Sequence, residues 1–173
     1  MSPTERNLIA LLAALSLFLS AVEFMIPKPV PFFRLGLANL PLVLSIGILS
    51  RKKILLLALL KVVGQGLIHG TLFSYALPLS AAGTLAGTLM MLLLFELLKE
   101  KISPVGLAVA GALASNTAQL AAARYIAFGP YAWLMAPPLL IMGLVTSVLL
   151  GLFAVRFKTR SRWYSLFRKG ELL

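Results

Sequence analysis

Residues 7–26 read NLIALLAALSLFLSAVEFMI, twenty positions with a single ionisable side chain, and five further stretches of similar character follow. A helix crosses the hydrocarbon of a bilayer in about 20 residues. Where no water reaches the backbone, only helices or a closed barrel can satisfy every N–H and C=O. The apolar runs here are continuous and lack the alternation of barrel strands. The expected fold is therefore all-α, a bundle of six transmembrane helices at Asn7 to Ile26, Leu35 to Ser50, Ile54 to Phe73, Leu79 to Leu98, Val105 to Phe128 and Ala132 to Phe157. The second of these is short.

Punctuation supports these limits. IPKPVPFF is a proline-broken loop after the first run, Ser103 before Pro104 has the form of an N-cap followed by proline at the first helical position, and GPYAW separates the last two runs. The opening run is too long for a signal peptide's apolar region and lacks a small-residue cleavage site, so it is kept as the first span. Residues 1–157 are expected to form one membrane domain and 158–173 a basic amphipathic tail.

The chain is 60% hydrophobic and only 12% charged, with mean hydropathy +0.98, which sets it apart from soluble globular domains. Its net charge of +11 is unevenly placed. Arg6, the run Arg51 to Lys53, Lys99, Lys101 and the tail from Arg156 onward alternate with nearly uncharged connections. With an even number of spans, the excess of Lys and Arg places both termini on the cytoplasmic side of the cell membrane. Tyr75, Tyr125, Tyr131 and Trp133 then fall near the outer interface, and Trp163 and Tyr164 near the inner one. The tail RFKTRSRWYSLFRK reads as a surface helix on anionic lipid rather than as a nucleic-acid binder.

A lysine or arginine at the centre of a membrane helix costs about 2.5–3.5 kcal/mol on insertion scales, so ionisable groups inside the runs need a reason. Lys61, Gln65 and His69 lie four residues apart and share roughly one face of the third helix. The long stem of Lys61 is able to snorkel to the cytoplasmic headgroups, so snorkelling and an inward site both stand open for it. Gln65 and His69 are too short for that and should face the interior. In the fifth run Asn116 and Gln119 share a face, with Arg124 beyond them. Together with Asn39 in the second run, these residues outline an outward-facing polar cavity, with Arg34, Lys28 and Arg124 at a positive rim. Such a mouth suits phosphate or carboxylate. Glu23 either pairs with Lys28 or Arg34 or meets a ligand, and Glu96 is expected to pair with a nearby lysine.

The chain contains no aspartate and no cysteine, and neither GxxxxGK[ST] nor HExxH occurs. It thus lacks the usual equipment for Mg²⁺-dependent phosphoryl chemistry, ATP hydrolysis or zinc hydrolysis. No catalysis, metal or cofactor is expected.

The opening ALLAALSLFLSAVEFMIP, the proline-rich loop leading into FFRLGLANLPLVL, then LLKVVGQGLIHGTLFS and ASNTAQL resemble the family called heptaprenyl diphosphate synthase component I, or Gx transporters. That family in turn is similar to the S components of energy-coupling factor transporters. The resemblance implies a six-helix membrane protein that captures a small molecule for uptake, working with a membrane coupling subunit and ATPases. It also implies docking through an AxxxA motif on the first helix, matched here by Ala10 and Ala14. The enzyme-like name points to an alternative, a non-catalytic membrane subunit of a polyprenyl diphosphate or quinone biosynthetic enzyme. Prenyl diphosphate synthases hold Mg²⁺ through aspartate-rich motifs, which this chain lacks.

Overall fold

The computed structural model describes residues 3–26 and 36–169, with the side chains of Glu100, Trp163, Arg168 and Lys169 excepted. All of its regular structure is helical: α1 (Pro3–Met25), α2 (Leu40–Ser45), α3 (Arg51–Ile68), α4 (Ala76–Leu98), α5 (Pro104–Ala123), α6 (Ala136–Arg160) and α7 (Arg162–Lys169). Three helical stretches, Pro3–Met25, Ala76–Leu98 and Pro104–Arg160, are long and apolar enough to cross a membrane. The last of them holds both α5 and α6. Large apolar side chains such as Phe18, Leu59, Leu89, Ile141 and Leu149 stand exposed on the outside of the bundle. An outer surface of that kind is the reverse of what water selects.

The second expected span departs from a continuous crossing helix. Residues 37–39 form a 3₁₀ turn and α2 is only six residues long, about 9 Å at the α-helical rise. Gly36 and Gly47 hold left-handed φ angles of 82° and 92°, which side chains with a Cβ resist. These two residues bound the segment, and Ile46 after it is extended. All six residues of α2 are buried, and the helix is packed among α1, α3, α5 and α6. It is an internal plug.

Elsewhere the local chemistry follows the sequence. The Ser103 hydroxyl accepts from Gly106 N at 3.1 Å and Pro104 opens α5. The α3 helix stops at Ile68, five residues before the expected limit, with Gly70 left-handed at φ 64°. After Ala123 the chain widens into a π-helical turn at Arg124–Phe128 and tightens into a 3₁₀ stretch at Gly129–Met135 before α6 begins. Tyr125, Tyr131 and Trp133 are exposed along this connection, and Tyr75 at the start of α4 is exposed as well.

Glycines set the closest approaches. A Cβ on Gly87 of α4 would lie 2.7 Å from the backbone oxygen of Gly111 on α5, and one on Gly151 of α6 would lie 2.6 Å from Cα of Val105. Backbone cannot rotate aside, so these contacts tolerate no side chain. In lipid, where apolar surface gains nothing by leaving its solvent, such van der Waals contact supplies much of the attraction between helices.

The tail differs from the lipid-bound helix expected of it. Tyr164 and Phe167 are buried, and Phe167 joins the core formed by Leu8, Leu42, Ile54 and Leu57. Tyr164 packs edge-on against Phe157 at 6.4 Å between ring centres. The Lys158 ammonium lies 5.3 Å over the Tyr164 ring and donates to Ile46 O at 3.2 Å, just past the end of α2. Tyr164 and Phe167 of α7 are thus turned to the bundle, while Leu166 stays exposed. Glu96 pairs with Arg51 at 2.5 Å instead of a lysine, and Lys53 pairs with Glu5.

Candidate functional site

One face of α3 changes character half-way along. Ile54, Leu57 and Ala58 are buried in the apolar core, and the next inward positions are Lys61, Gln65 and His69. The same change occurs on α1, from Leu8, Ile9 and Leu12 to Ser16, Ser20 and Glu23. Where the polar halves meet, the bundle encloses a cavity of about 310 Å³. This lies at the lower end of the usual size of small-molecule sites, about 300–1,000 Å³. Asn39, Lys61, Gln65, His69, Asn116 and Gln119 all line it.

Lys61 points inward and does not snorkel. It is 4% exposed, and its ammonium donates to Asn39 Oδ1 and, at 3.2 Å, to Thr84 Oγ1. A buried ammonium loses its hydration, and hydrogen bonds to a charged group return about 1.5–3 kcal/mol each. Gln65 Nε2 donates to Ser20 Oγ at 2.7 Å, and Ser20 Oγ lies 3.5 Å from His69 Nε2. The His69 ring stacks on Phe24 with centres 4.5 Å apart. Ser16 Oγ donates to Ala38 O at 3.2 Å, tying α1 to the turn before α2. Glu23 Oε2 accepts from Leu37 N at 2.9 Å, so its carboxylate holds the backbone of that turn.

The opposite wall comes from α5 and α6, with the small residues of α4 beside them. Asn116, 7% exposed, donates through Nδ2 to Leu139 O at 3.2 Å. Gly143 makes room for it, since a Cβ there would sit 2.0 Å from Asn116 Nδ2. Gln119 Nε2 donates to Ser115 Oγ at 3.1 Å, and its side chain crosses Gly83, where a Cβ would lie 2.5 Å from Nε2. Small residues on α4 and α6 thus let amide side chains of α5 lie flat against their neighbours. Met91, Leu120 and Leu139 add apolar patches to the lining.

Residues 12–157 match the family described as Heptaprenyl diphosphate synthase component I. The chain belongs to the heptaprenyl diphosphate synthase component I family. No curated protein and no solved structure matches it.

In this component I chain one further expected site residue falls apart from the cavity, and two cationic residues expected at its rim are outside the described residues. Arg124 is exposed in the π-helical turn, with its guanidinium 5.7 Å over the Tyr125 ring, and is not among the lining residues. Arg34 and Lys28 lie outside the described residues. Ala10 and Ala14 are exposed on α1, on its outward side with Leu11 and Phe18. Among the described residues there is no group of three metal-ligating side chains. Ser20 and Thr84 also line the cavity and were not singled out from the sequence, although Ser16 and Ser20, like Thr84 and Thr88, sit at i, i+4 on faces that also carry the cavity.

Proposed function

We propose that this chain is a non-catalytic membrane subunit of a prenyl diphosphate synthase system, and that its chamber holds a small molecule which that system uses. Membership of the component I family over residues 12–157 carries the reading. The partner is then a soluble catalytic subunit that supplies the aspartates this chain lacks. The apolar outer surface supports a multi-pass position in the cell membrane. The basic segments at Arg51 to Lys53, Lys99 and Lys101, and from Arg156 onward, support a cytoplasmic placement of both termini. A chamber of about 310 Å³ suits a small polar molecule and is too small to enclose a seven-unit prenyl chain.

The test is copurification in mild detergent with the aspartate-bearing prenyl synthase of the same cell. Retention of the synthase on the tagged membrane chain is the expected result. A synthase that elutes alone, with full activity and unchanged chain-length output, refutes the reading.

A second reading, uptake of a small molecule with a coupling subunit and ATPases, draws on one observation. Ala10 and Ala14 leave a close-approach face open on the outer side of α1. Leucine at both positions then abolishes copurification with a coupling subunit and leaves synthase binding unchanged.

A further inference from the structure

The two asparagines of the chamber are oriented by opposite partners. An ammonium only donates, so the side chain of Asn39 must turn its carbonyl to Lys61, and its Nδ2 is directed away from that contact. A backbone carbonyl only accepts, so Asn116 must turn its Nδ2 to Leu139 O, which leaves Oδ1 outside that bond. Among the described residues nothing donates to Asn116 Oδ1, and nothing accepts from Asn39 Nδ2. The Thr84 hydroxyl accepts from Lys61, and its own hydrogen likewise has no acceptor. One side of the cavity thus offers donors from Asn39 and Thr84, beside the positive charge of Lys61. The facing wall offers an acceptor on a residue more than nine-tenths buried. The lining also carries the apolar side chains of Leu79, Leu120 and Leu139.

The geometry points to a two-ended occupant: a small molecule with a carboxylate or phosphate at one end, an apolar middle, and an N–H or O–H donor at the other. The acid end meets Lys61, Asn39 and Thr84, and the donor end meets Asn116 Oδ1. A bare diphosphate presents acceptors almost throughout and has no apolar middle. It suits the first side, but it covers none of the apolar lining and displaces water from the Asn116 carbonyl without a matched donor to replace it. This inference rests on the reading of the chamber as a ligand site, whichever partner the subunit serves.

Thermal stabilisation of the purified protein in detergent, titrated with a matched set of probes, tests it. The set is benzoate, phenol, 4-hydroxybenzoate and inorganic pyrophosphate. The probe with both ends binds at least tenfold more tightly than benzoate or phenol, and pyrophosphate is weaker than either acid. Lys61→Met removes the advantage of 4-hydroxybenzoate over phenol, and Asn116→Leu removes its advantage over benzoate. Because each comparison is a ratio within one variant, a general loss of stability does not imitate it. Thr84→Val, which keeps the side-chain shape, weakens both acids about threefold and serves if Lys61→Met does not fold. Equal affinity for all probes, or preference for pyrophosphate, overturns the two-ended inference while leaving a binding chamber. No stabilisation by any of the four overturns both.

Discussion

The two ends of the bundle are built from the same helices and differ in everything else. At one end Leu8, Leu12, Leu42, Ile54, Leu57, Leu107 and Phe167 fill the interior completely. At the other, α1, α3 and α5 turn serine, lysine, glutamine and asparagine inward around a hollow. Polar side chains in a membrane interior persist when hydrogen-bonded, and each of those described above has at least one partner. The contrast teaches that the solid end carries the stability of the fold. The hollow end spends some of that stability on chemistry.

Mutations that separate the two ends sharpen this contrast. Leu57 is fully buried at the solid end. Leu57→Ala should cost about 3 kcal/mol through lost burial and the void left behind, read as a large drop in detergent Tm. Gly87 sits at the boundary against the backbone of Gly111. Gly87→Ala should cost about 2–3 kcal/mol, because the helices must part to admit a methyl group. Gly143→Ala should cost about 1–2 kcal/mol, since Asn116 can move, and the readout that matters is weaker probe binding in the chamber. At the hollow end Gln65→Leu should change stability by under about 1 kcal/mol. If instead it destabilises as much as Leu57→Ala, the division between the ends is wrong. Smallest of all, Glu96→Gln removes an ion pair whose members are 69% and 50% exposed and should shift stability by under about 0.5 kcal/mol.

Much of this was legible in the sequence for a physical reason. Long apolar runs admit only helices in lipid, and the Ser103–Pro104 cap followed from rules that act within one turn. The stripe of Lys61, Gln65 and His69 was visible because helical spacing alone puts residues on one face. The inward direction of Gln65 and His69 followed from the cost of facing hydrocarbon, whereas that of Lys61 stood open until the structure placed it. What failed was tertiary. The run from Leu35 to Ser50 is apolar enough for a span, yet Gly36 and Gly47 break it into a buried plug. Composition does not reveal which side of the membrane interior such a segment occupies. The tail looked like a lipid-surface helix, since amphipathicity states that one face is apolar and not what covers it; here Tyr164 and Phe167 find the bundle. Arg124 was expected at the rim beyond Gln119, but the α-helix ends before it and a π-helical turn begins at it, where it is exposed.

The central claim is that the polar face of α3 looks into a water-filled chamber. The chain has no cysteine, so single replacements report cleanly. A charged, water-soluble thiol reagent reacts with the thiolate, which forms only where water reaches. Labelling of Gln65→Cys should be rapid and blocked by 4-hydroxybenzoate, while Leu59→Cys, on the exposed apolar side of the same helix, should stay unlabelled. Labelling at position 59 with none at 65 would contradict the account.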